Sequence, residues 1–209
     1  QVPQPRFLDA LGREVGADAP VDMIAESVYE LRLKPGIRYQ PHPAFALDAE
    51  GRPLYLGNDV AAGRGKIGDF PQTGSRELFA DDYIYQIKRL ALPSIHSPIF
   101  GMMADRIIGL RELGEELRKA AKANPADPWI DLDAYPLSGV EKVDRHVWRI
   151  RIKGKYPQFV FWLAMPFFAP VPREVDRFFA QPGMAAKNLT LDWWPVGTGP
   201  FMLSENDPN

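Results

Sequence analysis

Proline constrains this chain more than any other residue type. It fills 21 of 209 positions, about twice the usual share, and each proline removes a backbone donor and fixes a torsion. Long uninterrupted helices and central strands are therefore limited. The expected body has short elements joined by ordered, proline-stiffened connections. With 45% apolar and 11% aromatic residues the chain can bury a sizeable core. No repeat is visible, and no linker long enough to separate independent domains, so residues 1–209 are expected as a single structural unit.

The composition excludes several chemistries. A formal net charge of -2 with 25% charged residues gives neither a nucleic-acid footprint nor a polyanionic tail. The absence of cysteine removes disulfides and thiolate catalysis. The longest apolar run, Phe159 to Met165 continuing through Phe167-Phe168-Ala169, is broken by Pro166, well short of the roughly 18 residues a membrane span needs. His42, His96 and His146 lie far apart and none belongs to a metal-ligand cluster, so no metal and no cofactor is expected. Ser138-Gly139 lacks the preceding glycine of a nucleophile elbow. Gly197-Thr198-Gly199-Pro200 lacks the lysine of a phosphate-cradling loop. Asp131 and Asp133 offer paired carboxylates beside Trp129, the raw material of glycoside hydrolysis. In an extended segment, however, a spacing of two puts both on one solvated face.

The periodic segments are few. Val28 to Leu33 alternates as a strand with one buried face and turns at Lys34-Pro35-Gly36. From Tyr39 to Ser75 the text is rich in glycine, proline and aspartate without a sustained period, which predicts a long surface excursion over residues 40–75. Asp81 to Leu90 predicts a helix, with Tyr83, Ile84, Ile87 and Leu90 on one face and charges suited to its two ends. Met103 to Ala121 predicts a second, longer helix on the stripe Met103, Ile107, Leu110, Leu117, Ala121, with Glu115 placed to pair with Lys119. Val140–Val143 and Val147–Ile152 predict a hairpin across Asp144-Arg145 with a strongly basic polar face. Pro157 and Pro172 can each open a short apolar helix, and Val196 to Leu203 reads as a closing strand. Strands and helices intermix without a regular βαβ beat, which argues for an α+β fold.

Five of these segments carry a resemblance when taken in order. Tyr29-Glu30-Leu31-Arg32-Leu33-Lys34-Pro35-Gly36-Ile37-Arg38-Tyr39 resembles the strand and turn F-x-L-R-x-G-V-x-W of the family 5 extracellular solute-binding proteins. Arg76 through Leu90 resembles that family's T-A-x-D-x-x-Y-x-x-x-R helix, and Gly139 through Ile150 its following hairpin. Pro170-Val171-Pro172 resembles the next landmark, and Val196-Gly197-Thr198-Gly199-Pro200-Phe201 the G-T-G-P-Y/F return strand. The match runs from about residue 29 to residue 203. Phe79 departs from the family's Thr or Ser helix cap, since it cannot accept an amide hydrogen bond, and the 40–75 stretch is longer than typical.

The resemblance implies a fragment of a longer protein, the capture component of an ABC importer and not an enzyme. It implies a periplasmic or cell-surface location, a small solute such as an oligopeptide held between two lobes, a membrane permease as partner, and no nucleic acid. This segment resembles the smaller domain beside those lobes, plus strands leading to and from the first lobe, with Val28–Leu33 and Phe201–Leu203 rejoining a common sheet. Most groups that hold a peptide's ends are implied to lie in the remaining lobes. Ser97 and Ile99, in Ser97-Pro98-Ile99-Phe100, match a family stretch that faces the cleft and are the implied ligand contacts. Two other readings stay open: a carbohydrate-acting hydrolase using Asp131 and Asp133, and an interaction domain that binds a protein through residues 40 to 75.

Overall fold

The computed structural model describes residues 2–125 and 129–206. Among them the fold is α+β, with an antiparallel sheet of five strands and five short α-helices. The described residues cluster into two compact units. The first comprises Gln1–Lys34 and Phe79–Pro170, the second Pro35–Leu78 and Val171–Asn209. The chain passes between the units three times, at 34/35, 78/79 and 170/171.

The sheet belongs to the first unit. Its strands are β1 (Arg6–Leu8), β2 (Glu14–Val15), β3 (Glu26–Arg32), β4 (Val140–Lys142) and β5 (Val147–Lys153), in the order β2-β1-β3-β5-β4. The central pair β3 and β5 runs in register from Glu26 opposite Lys153 to Arg32 opposite Val147. The β1–β2 hairpin has only a weak alternation, and its turn is set instead by Asp9, whose carboxylate accepts the amides of Leu11 and Arg13 at 2.9 Å. The predicted β4–β5 hairpin forms, but its polar face is not a bare basic patch. Arg149 donates to Glu30 at 2.9 Å and Arg151 donates twice to Glu26, at 2.9 and 2.6 Å. These cross-strand pairs, with Glu141 of β4 also opposite Arg149, neutralise a face that the arginines of β5 alone show as basic.

Helix α1 (Ala80–Arg89) forms nearly as its charges predict. Ile87 and Leu90 are buried, and so are Asp82 and Gln86, because each has a polar task. The Phe79 amide donates to the Asp82 carboxylate at 3.0 Å, and the Ala80 amide donates to the Arg145 carbonyl at 3.0 Å. Those bonds satisfy helix-start donors that a Thr or Ser cap would otherwise take. Phe79 contributes its ring instead, with the Arg145 guanidinium 4.0 Å above it. Gln86 donates to the Phe167 carbonyl at 2.7 Å.

The single helix expected from Met103 to Ala121 is instead two, α2 (Phe100–Arg106) and α3 (Leu110–Ala123). Between them Ile107 is extended and bridges Ile152, and the Ile108 amide donates to the Arg151 carbonyl at 3.2 Å. The backbone there joins β5 beyond the end of β4. Gly109, at φ +79°, then starts α3 in a conformation that a side chain disfavours. The stripe still describes the buried face, since Met103, Ile107, Leu110 and Leu117 are all core. A hydrophobic row fixes which side is buried but cannot register a break that preserves the row. Glu115 and Lys119 form no ion pair among the described residues, both being solvent-exposed.

Two short apolar helices follow, α4 (Phe159–Leu163) and α5 (Arg173–Phe179). Phe159 and Phe168 are buried, Phe159 packing on both Tyr29 and Phe168, whereas Phe161 is 71% exposed. In the second unit, residues 40–75 run largely exposed, as expected of an excursion, but are anchored by a few buried residues. Tyr39, Phe45, Tyr55 and Phe70 are buried, and Phe70 packs edge-on to Phe178 of α5 with ring centroids 5.1 Å apart. Arg76 makes a two-pronged pair with Glu174 at 2.7 and 2.7 Å. Aromatic residues spread among glycines and prolines give no period, so pattern reading misses the cluster.

The closing strand is also a correction. Val196 is buried and Gly197 exchanges hydrogen bonds with Gln40, but Val196 to Leu203 forms no strand, and Phe201 is 90% exposed. No described strand lies alongside Phe201–Leu203, and the sheet containing β3 does not include it. Among the described residues no helix is long and apolar enough to cross a membrane.

Candidate functional site

The path from Leu90 to Phe100 builds a pocket at the end of α1. Pro93 starts a 3-10 turn, Pro93–Ile95, which ends at His96 in the left-handed region at φ 49°, ψ 40°. A non-glycine residue there costs on the order of 1 kcal/mol. The reversal brings Ser97 to the pocket wall and lets the Ser97 carbonyl accept the Phe100 amide at 3.2 Å, just where α2 begins.

The resulting pocket has a volume of about 210 Å³, with Leu90, Leu92 and Phe100 among its apolar walls and His96, Ser97 and Arg118 as its polar groups. The Ser97 hydroxyl oxygen is shut from solvent and has no hydrogen-bond partner among the described residues. Arg118 comes from α3, where its Nε donates to the Gly114 carbonyl at 3.0 Å. That bond anchors the arm and leaves both Nη groups without a carboxylate partner among the described residues. Of the two residues singled out in the sequence, Ser97 therefore lines the pocket and Ile99 does not. Ile99 is 6% exposed, and its carbonyl accepts the Met103 amide at 2.9 Å, a helix-start role.

His96 and Arg118 carry no sequence signal of their own, because Arg118 sits in an ordinary charged helix face until α3 is folded back. Gly114 fixes how closely that happens, since a Cβ at this position would overlap the Phe100 ring. Gly114→Ala should therefore push Phe100 into the pocket. The net destabilisation should be about 0–2 kcal/mol, because strain of about 1–3 kcal/mol is partly offset by about 1 kcal/mol of helix propensity. Denaturant midpoints and ring contacts between Phe100 and Leu92 measured by NMR check both parts. An unchanged Phe100 environment contradicts the account.

A larger cleft of about 550 Å³ lies along β3, lined by Glu30 to Leu33 with Tyr83 and Trp148. Its charges are already satisfied within the protein. The hydrogen bond from Arg149, with help from Arg32, holds the Glu30 carboxyl below its ordinary range. Tyr83 stacks on Trp148 with centroids 5.4 Å apart, and burial, aided by the Asp82 carboxylate, raises its phenol. The Trp148 Nε1 is buried without a partner among the described residues.

The remaining sequence candidates serve local structure. Asp131 accepts the Asp133 amide at 3.2 Å and caps the 3-10 turn Leu132–Ala134, so the two carboxylates do not project from an extended strand. Between them the Leu132 carbonyl accepts from Lys88 Nζ at 3.1 Å. Burial lowers the Lys88 pKa, against the pull of the Asp133 and Asp131 carboxylates. In the second unit His42 is 2% exposed and sits edge-on to Phe178. Its Nδ1 accepts the Ala44 amide at 3.1 Å, which puts the imidazole proton on Nε2. Burial lowers its pKa to about 4. Among the described residues no three His, Asp or Glu side chains gather where they could hold a metal ion.

No protein-family model and no curated protein matches this chain.

Proposed function

We propose that the chain is part of a family 5 solute-binding protein, which captures a small solute, such as an oligopeptide, outside the cytoplasmic membrane and passes it to an ABC permease. The observation that carries this reading is where the chain changes unit. It does so at Lys34/Pro35, Leu78/Phe79 and Pro170/Val171. Each of these points falls inside one of the five segments that resemble the family's landmarks.

On this reading the first unit is the smaller domain and the second unit is the part that joins the first lobe. The exposed Phe201–Leu203 stretch would then find its sheet partners in the remaining lobes. The protein would hold its solute by burial and hydrogen bonds without making or breaking a bond, and this piece would supply scaffold and a minor part of the grip.

The test is mass spectrometry of small molecules released by denaturing the full-length protein after purification. A discrete set of peptides or another single solute class is expected. Absence of any retained solute, together with no thermal shift from a peptide library, would overturn the reading. By the same reasoning, peptides should bind the present 209-residue chain more weakly than micromolar, which calorimetric titration can check.

A further inference from the structure

We propose that the Ser97 pocket binds a small carboxylate that carries a short apolar chain. The guanidinium of Arg118 would face the carboxylate, and the Ser97 hydroxyl would donate to it. The inference stands on this pocket's chemistry alone and does not require the solute-capture reading.

Three features point to that ligand. Arg118 is fixed through Nε, so its two Nη groups present the planar fork that matches two carboxylate oxygens. The Ser97 hydroxyl has no acceptor within the described protein, and a buried hydroxyl without one is costly to leave so. A bound carboxylate relieves it. Besides His96, the rest of the wall is Leu90, Ala91, Leu92, Pro93 and Phe100, which offers an alkyl tail a dry surface. The volume of about 210 Å³ lies below the roughly 300 Å³ at which drug-sized sites begin, so the ligand is a short acid. The unusual backbone of His96 fits the same picture, because its left-handed turn brings Ser97 to the pocket wall.

The experiment is an NMR titration of the chain with isovalerate, acetate, inorganic phosphate and neutral isovaleramide. Isovalerate should bind with a dissociation constant on the order of 1 mM, shifting the amides of His96 and Ser97 and the Arg118 Nε signal. Acetate, lacking the branched tail, should bind at least about fivefold more weakly. Arg118→Gln should weaken isovalerate at least tenfold with its unfolding midpoint unchanged, because Arg118 is exposed, and Ser97→Ala should weaken it about fivefold without loss of stability, because the hydroxyl it removes is buried and unpaired.

The proposal is overturned if isovaleramide binds as well as isovalerate, if phosphate binds more tightly, if the shifts do not saturate, or if Arg118→Gln binds like the unaltered chain. The isovaleramide comparison uses the unaltered chain and so decides the matter even if a variant misfolds. A full-length protein that retains no solute would sink the capture reading and leave these titrations where they stand.

Discussion

Replacing Trp148 with alanine is expected to destabilise the first unit by about 3–5 kcal/mol, the range for emptying a large buried aromatic site. Trp148 is 1% exposed in β5, the strand that pairs along the whole of β3, and Tyr83 of α1 stacks on its face. Its loss opens a void between the sheet and the helix that covers it. Trp148→Phe should cost far less, about 1 kcal/mol. The smaller ring loses contacts, but it also removes an indole N–H that is buried without a partner among the described residues, a group that costs about 1–3 kcal/mol to leave unpaired. Chemical denaturation of both variants checks the pair. If phenylalanine is as damaging as alanine, the unpaired N–H is not a liability and the packing account fails.

Acidification should weaken the second unit through His42. Its imidazole titrates near 6.5 when unfolded and at about 4 when folded, because burial among Phe45, Phe178 and Phe179 disfavours the charged ring. Between those values the unfolded chain binds more protons than the folded one, so stability rises with pH in that window. The contribution is fully present above pH 6.5 and is lost as pH falls toward 4, reaching about 3 kcal/mol.

His42→Asn can keep an acceptor for the Ala44 amide while removing the titration. It should flatten the slope between pH 4 and 6.5 relative to the parent chain. Asp48 and Asp69, whose pKa values are lowered chiefly by backbone hydrogen bonds from Arg52 and Gly65 respectively, lose their protons below this window. Equal slopes in the two proteins would refute the assignment to His42.

Neutralisation of the β5 arginines, the split of the long helix and the aromatic anchors of residues 40–75 share one cause. Each depends on a partner far away in sequence. Arg151 reads as an exposed positive charge until β3 brings Glu26 to it across 125 positions. Ile107 reads as the next turn of a helix until Ile152 offers its backbone an alternative. Ser97 is singled out through the resemblance of Ser97-Pro98-Ile99-Phe100 to a family stretch, whereas Arg118 enters the pocket only because α3 folds back against the Pro93–Ile95 turn. Ile99 is expected beside the ligand through the same resemblance, and only the fold shows that it is buried at the start of α2.

The sequence alone determined what depends on near neighbours. The charges at the ends of Ala80–Arg89, the alternation through Val147–Lys153 and the prolines that keep every element short act over one to four residues, and they fix the α+β mixture and the hairpin. Tertiary structure decided everything that depends on which surfaces meet. It set the order of the sheet, the division into two units, the break at Ile107, and the meeting of Arg118 with Ser97. The physical reason is that local hydrogen bonding and side-chain period are written in adjacent residues, whereas desolvation and charge pairing depend on the partners that folding delivers.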